Sequence, residues 1–400
     1  MRNRFSPMYA LLAVLPVAAC SDGILPPTPK PDFSKYVAIG TSVSMGWQSD
    51  GVVSTGQQDA WTKKLATAAG APFLQPLIEA PGCKPPLMAP LGSFKRVDNT
   101  SVAVNSTVCA PLVASVMLPT NDLAVEGATA KEAFTATPAT ATQGRGPVTS
   151  RVLPAGLTQI TAMRASNPTF VSVEFGGNEV LPAQVGVLAP NLTFTPFDTF
   201  QLYYSGIIDS VKATGAKAVL VGLPSDIRQF PTIRTGAEIA AQRAVFTAFH
   251  VSVNADCDAS PNFVFIRGKV PTAIATGAVL RQNGQPPANL SCADIPGTQD
   301  FIVTPSDVTF INGLLAQMNS EIASKAAANG YALTSLEALY ATSKDGVAFN
   351  VEAFIGTATP YGPKISLDGV HPNAEGHRVI ANAAIVAIKA RYGSTIQLLP

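Results

Sequence analysis

Residues 36–46 read Tyr36-Val37-Ala38-Ile39-Gly40-Thr41-Ser42-Val43-Ser44-Met45-Gly46. Four apolar residues, enough for a short buried strand, run into a glycine and two hydroxyl side chains that signal a tight turn. Residues 61–69 then carry apolar side chains at helical spacing, completing a strand, turn and helix unit. The order recurs downstream. A helical stretch over 157–165 precedes an apolar strand over 169–175, which ends in Gly176-Gly177-Asn178-Glu179. A helix over 202–214, stopped by Gly215, precedes a strand over 218–223. Residues 311–328 form a further helix stopped by Asn329-Gly330, 331–336 a strand, and 374–390 the last helix. Strands alternating with helices predict an α/β fold: a parallel sheet with helices on both faces, in which ligands sit beyond the carboxyl ends of the strands.

Two stretches break the alternation, about 76–119 and about 250–305, both rich in proline and polar residues. They read as insertions on one domain covering 36–395, and no fixed-period repeat points to a solenoid or propeller. The chain has 27 Lys and Arg against 26 Asp and Glu, so no basic excess exists to neutralise a run of phosphates, and nucleic acid is not an expected partner. Charged residues make up 13% and hydrophobic ones 47%, the reverse of a disordered composition.

The N-terminus reads as a processing signal. Arg2 and Arg4 give a basic start, residues 8–19 are apolar, and Val17-Ala18-Ala19 places small residues before Cys20. These last four residues resemble the lipobox of bacterial lipoproteins, which implies a signal peptide over 1–19 and lipidation of Cys20. Residues 20–35, with prolines at 26, 27, 29 and 31, then serve as an extended tether. The expected location is the bacterial cell envelope, with the membrane reached through the N-terminal lipid anchor. The remaining cysteines, Cys83, Cys109, Cys257 and Cys292, are even in number, and disulfides are the expected state outside the cytoplasm. Of three connectivities, Cys83 with Cys109 and Cys257 with Cys292 is preferred because each pair falls within one insertion. No Cys-x-x-Cys pair or suitably placed histidine suggests zinc.

Three histidines can be weighed singly. His250 ends a helical run and reads as structural, and His377 falls in the last helix. His371 lies in Asp368-Gly369-Val370-His371-Pro372, where an acid three residues before a histidine on a turn can hold Nδ1 and leave Nε2 free as a base. The bland alternative is a helix cap beside a solvated ring. Ser42, beyond a strand and Gly40, sits where a turn can lift a hydroxyl to the sheet's carboxyl edge, although a serine there can equally cap a helix.

The series as a whole resembles the GDSL, or SGNH, hydrolase family of esterases and lipases. Its first block, Gly-Asp-Ser-Leu-Ser then glycine, is similar to residues 40–46, placing the nucleophile on Ser42. The block that supplies an oxyanion-hole glycine is similar to Leu123-Ala124-Val125-Glu126-Gly127-Ala128-Thr129, and Gly-x-Asn-Asp is similar to Gly176-Gly177-Asn178-Glu179. Asp-x-x-His-Pro is intact at 368–372. The resemblance implies a three-layer, flavodoxin-like α/β/α fold, a triad of Ser42, His371 and Asp368, and an oxyanion hole of the Ser42 N–H, the Gly127 N–H and the Asn178 amide, with no cofactor or metal. Thr41 and Glu179 stand where the family has aspartates, and a changed turn at Thr41 threatens the placement of Ser42. Ser44 is a weaker candidate nucleophile. Gly-x-Ser-x-Gly, His-Glu-x-x-His and the phosphate-binding loop are all absent.

The expected activity is hydrolysis of lipid or simple acyl esters through an acyl-enzyme, by a chain expected to be monomeric. Residues 181–204 carry Leu, Val, Phe and Tyr just after Asn178 and are candidates for lining an acyl pocket. The alternatives are O-acetyl esterase action on a carbohydrate and a silent surface lipoprotein that binds glycan or lipid.

Overall fold

The structure is a computed structural model that describes residues 30–102, 109–142 and 144–400. The expected signal peptide over 1–19, the expected lipidation site Cys20 and most of the expected tether lie outside the described residues. Nine strands occur among the described residues: β1 (Tyr36–Ile39), β2 (Phe170–Glu174), β3 (Lys217–Gly222), β4 (Ile233–Thr235), β5 (Val251–Val253), β6 (Phe263–Phe265), β7 (Ala288–Leu290), β8 (Ile302–Val303) and β9 (Ala332–Ser335). The central sheet has the order β1-β2-β3-β9 and is parallel throughout. At its β1 edge the segment over 121–125 runs alongside. Ala38 N–H donates to Asn121 O at 2.9 Å, Leu123 N–H to Ala38 O at 2.9 Å and Val125 N–H to Gly40 O at 3.1 Å.

Alternation along the strands feeds two cores, as a parallel sheet covered on both faces requires. Val37, Ile39, Val171, Val173, Ala218 and Leu220 point to one face, packed with Ile207, Ile208 and Val211 of helix Phe197–Ala213 and with Ile311, Met318 and Ile322 of helix Pro305–Asn329. Tyr36, Ala38, Phe170, Val219, Val221 and Ala332 point to the other, against Leu65 of helix Trp61–Ala68 and Ile380, Ala384 and Ile388 of helix Ala374–Tyr392. The architecture is the expected three-layer α/β/α sandwich. Helix Pro305–Asn329 begins earlier than apolar spacing alone suggests, because the Thr304 hydroxyl and the Asp307 carboxylate form a capping box around Pro305.

The stretch over 250–305 is not the irregular excursion expected. It supplies β5 to β8 and helix Ile266–Gln282, with β4, β6 and β8 in one antiparallel sheet and β5 and β7 parallel in another. Its strands are too short to show a period. Its helix contains Gly268, Pro271 and Gly277, which read as breakers, yet a Cβ on Gly268 would strike the Phe301 ring and one on Gly277 would meet Phe249 O at 2.5 Å. These glycines are required by close approach rather than by a turn.

Cys83 is bonded to Cys109 and Cys257 to Cys292, one bridge in each insertion, as preferred from sequence. The second bridge is fully buried and spans 35 residues. In the chain-entropy account such a loop is worth about 4 kcal/mol. Replacing Cys257 and Cys292 together by alanine is expected to lower the free energy of unfolding by about that amount, measured by denaturant titration under oxidising conditions. A change under about 1 kcal/mol would show that packing alone holds this insertion.

Candidate active site

Ser42 stands at the carboxyl end of β1, the first residue of the short helix Ser42–Met45. The turn beneath it admits only glycine at position 40, where a Cβ would lie 2.8 Å from Glu174 O and 2.9 Å from Ser44 Oγ. Ser42 is buried, and its Oγ lies 2.9 Å from Nε2 of His371.

His371 is delivered by the loop between Ile365 and the final helix. Asp368 is fully buried within it and surrounded by donors. Its Oδ1 accepts from the N–H groups of Val370 at 2.9 Å and His371 at 2.8 Å, and its Oδ2 accepts from His371 Nδ1–H at 2.9 Å and Asp50 N–H at 2.7 Å. Burial opposes charge on Asp368, but the His371 imidazole and then Arg267 outweigh it and hold the carboxyl well below the usual carboxylate range. A carboxylate at Nδ1 fixes the proton there and turns the Nε2 lone pair toward the Ser42 hydroxyl. Asp368 is therefore not a helix cap. That task falls to Asn373, whose Oδ1 accepts from the N–H groups of Glu375 and Gly376. The backbone just before His371 is held by Tyr340, whose OH donates to Val370 O at 2.6 Å.

Asn178 follows β2 through Gly176, in the left-handed region at φ 120°. Its Nδ2 donates to Ala128 O at 3.0 Å, which ties it to the turn holding Gly127, itself at φ 69°. Among the described residues, the N–H groups of Ser42 and Gly127 donate to no acceptor. Two backbone donors and a side-chain amide with a second hydrogen to give are thus carried by segments bonded to one another beside Ser42.

The two departures from the family pattern have structural partners. Thr41 N–H and Oγ1–H both donate to the Glu174 carboxylate, at 3.1 Å and 2.8 Å, and Ser44 Oγ–H adds a third bond at 3.1 Å. The carboxyl that steadies the nucleophile turn therefore comes from the end of β2, and Ser44 is occupied there rather than free as a nucleophile. Glu179 Oε1 accepts from Ala130 N–H at 2.6 Å and so binds the Asn178 turn to the Gly127 turn. Glu174 was not singled out from sequence. The available signal was a lone acid ending the apolar run Phe170–Glu174.

His250 donates from Nε2 to Gln285 O and is structural. His377 is buried in the final helix, where its Nδ1 accepts from Trp61 N–H at 3.3 Å, and burial pushes its pKa down to about 3. It touches neither Asp368 nor Ser42. Asp256, Cys257 and Cys292 cluster at metal-ligand distances, but the two thiols are consumed in the disulfide.

An apolar cleft adjoins the serine. Thr41, Ser42, Asn178 and His371 line its polar end, and Val180, Leu181, Leu223, Pro224, Ile227, Phe230, Leu315, Leu336 and Tyr340 line the rest. Of the stretch over 181–204 expected to form it, only Leu181 contributes, while Phe200 and Tyr204 are buried in the core. Most of the wall comes instead from the segments that follow β3 (Leu223, Pro224, Ile227 and Phe230) and β9 (Leu336 and Tyr340), with Leu315 from helix Pro305–Asn329.

No family model and no curated protein matches the chain. Solved structures do. Phospholipase A1 from Streptomyces albidoflavus is 14% identical at a TM-score of 0.39, covering 90% of this chain and 100% of that one. An acetyl-xylooligosaccharide esterase variant from Geobacillus Stearmophilus is 11% identical at 0.38, covering 90% and 95%. An extracellular lipase from Streptomyces rimosus is 12% identical at 0.36, covering 89% and 98%. Likeness at this level says nothing of the reaction, which the site's own geometry must carry.

Asp122, Glu174 and Glu179 are fully buried without a cationic partner, and burial pushes each up to about 7. In the unfolded chain such groups titrate near about 4, so between roughly pH 4.5 and 7 the folded protein holds protons that the unfolded chain releases. Stability should therefore fall as pH rises through 7. The melting temperature is expected to be lower at pH 8 than at pH 5, with Glu174→Gln reducing the difference; a flat profile would contradict the charge states assigned to these acids.

Proposed function

We propose that the protein is a serine hydrolase of carboxylic esters. The observation that carries this reading is the unbroken line from Ser42 Oγ to His371 Nε2 at 2.9 Å and from His371 Nδ1 to Asp368 Oδ2 at 2.9 Å. Ser42 Oγ attacks the ester carbonyl as its proton passes to His371 Nε2, and Asp368 stabilises the imidazolium. The oxyanion is met by the N–H groups of Ser42 and Gly127 and the amide of Asn178, donors of a kind whose loss costs about 100- to 1,000-fold. Collapse expels the alcohol with the proton from His371, and water, deprotonated by the same nitrogen, releases the acid and restores Ser42. No cofactor is needed for any step.

The cleft selects the acyl group. Its wall is almost wholly aliphatic and aromatic, and its cavity of about 50 Å³ has room for three or four water-sized groups, roughly the first carbons of a chain. This favours apolar esters of short acyl chains, with longer chains admitted only by displacement of a wall residue such as Phe230, which is half-buried and packs on Tyr340. Two disulfides suit work in an oxidising compartment, in keeping with export and a lipid anchor at Cys20.

Treatment with a fluorophosphonate probe is expected to label the wild-type protein and not Ser42→Ala, and only the wild type should turn over p-nitrophenyl esters. A Ser42→Ala variant that still hydrolyses them would overturn the mechanism. Across a panel from acetate to palmitate, kcat/KM is expected to fall beyond the short chains. Phe230→Ala should move the optimum to longer ones; an unmoved optimum would place the acyl group elsewhere.

A further inference from the structure

The turn at residues 48–51 approaches Asp368 from outside the motif. Ser49 and Asp50 are consecutive non-glycine residues in the left-handed region, at φ 53° and 59°. The turn is closed by Gln48 N–H to Gly51 O at 2.9 Å and Gly51 N–H to Gln48 O at 3.1 Å. Two adjacent residues in this region are unfavourable by themselves and persist only where the surroundings impose them. What the conformation accomplishes is specific. It aims Asp50 N–H at Asp368 Oδ2, the oxygen that also receives His371 Nδ1–H. It also locks Ser49 to the same loop twice, with Ser49 N–H donating to Ser366 Oγ at 2.8 Å and Leu367 N–H to Ser49 Oγ at 3.3 Å.

The Asp50 side chain holds that conformation. Its Oδ2 pairs with Lys84 Nζ and an Arg96 guanidinium nitrogen, each at 2.7 Å, and its Oδ1 with Arg267 at 2.7 Å. Arg96 has only 3% of its side chain exposed and reaches back to Asp50 O at 3.2 Å and Pro85 O at 2.8 Å. Lys84 is next to Cys83 of the first disulfide, and Arg267 lies on helix Ile266–Gln282, between Cys257 and Cys292 of the second. The Arg267 charge also favours the ionised form of Asp368. With Asp50 neutralised, that guanidinium would face Asp368 uncompensated and compete with the imidazole for the carboxylate.

We propose that Asp50 is a positioning residue for the Ser42–His371–Asp368 line, and that through its carboxylate both disulfide-bearing insertions fix the orientation of Asp368. The inference rests on the hydrolase reading. Ester turnover, probe labelling and the far-downfield proton resonance of the His371 Nδ1–H···Asp368 bond are to be measured on the full chain and on Asp50→Asn and Arg267→Gln. Asparagine tolerates the left-handed region and keeps the size of the side chain while removing its charge. Asp50→Asn is expected to lower kcat by about 10- to 100-fold, the cost of displacing a catalytic group by up to about 1 Å, with KM nearly unchanged and the downfield resonance weakened. Arg267→Gln, which keeps the Asp50 carboxylate and two of its partners, should show a smaller loss of the same kind. Folded variants with wild-type kcat and resonance but a lower melting temperature would overturn the proposal and leave the cluster a structural one. If Asp50→Asn does not fold, an unchanged kcat in Arg267→Gln overturns it equally. Wild-type protein that neither labels nor turns over ester would defeat the hydrolase reading instead, and the resonance, which needs no turnover, would still decide whether Asp50 holds Asp368.

Discussion

In the proposed mechanism a carboxylate with no access to water must be charged for His371 to work as a base, and the surroundings of Asp368 meet that demand. An isolated buried carboxylate is costly enough to take up a proton, and only dense donation or a nearby cation prevents it. Asp368 receives three backbone N–H groups and the imidazole, with Arg267 behind. Three of those donors come from its own loop, because Gly369 at φ 74° lets the chain fold back over the side chain. A Cβ at that position would lie 2.6 Å from the Tyr361 ring. The fourth comes from a distant turn, which also holds the loop through Ser366 and Leu367.

The same burial has the opposite result at three other acids. Glu174, Glu179 and Asp122 are as inaccessible as Asp368 but face hydroxyls and single amides rather than cations, and their pKa values rise. The site therefore divides its acids by neighbour and not by depth. One is kept ionised to orient a base. The others spend part of the neutral range protonated, able to donate as well as accept, and hold turns together. Glu174 shows why a threonine is tolerated beside Ser42. The turn needs an acid to gather its donors, and the end of β2 lies close enough to supply one.

What sequence shows and hides follows from the range of the interactions. The central sheet was legible because each strand, turn and helix unit repeats a local pattern, and strands buried on both faces are continuous apolar runs. Ser42, Asn178, Asp368 and His371 were legible because each follows a strand or precedes a helix within a short motif. The stretch over 250–305 was not, since two- and three-residue strands have no period and Gly268 and Gly277 serve close packing that only the folded chain reveals. Thr304 was missed as a helix start because Pro305 was read as a loop residue. Asp50 carried no signal: Ser49-Asp50-Gly51 reads as an ordinary surface turn. Its partners are 34 residues or more away in the chain, and no local pattern encodes them. The apolar cleft beside Ser42 takes only Leu181 from the stretch over 181–204 for a related reason, since proximity in sequence to Asn178 counts for less than the segments that follow β3 and β9.

The insertions, finally, are tied into the site. Disulfides restrict the excursions that hold Lys84 and Arg267 and reduce the entropy lost when these long side chains settle on one carboxylate. An exposed pair of this kind contributes little, because solvent screens it and its side chains must be ordered. Here the ordering is shared among three cations on one acid, in a setting where Arg96 is almost wholly buried. The gain is directed at the conformation of two residues that do not favour it. A segment held this way opens when its braces open, so the stability of the insertions and the readiness of His371 are expected to vary together even though neither insertion supplies a residue to the triad.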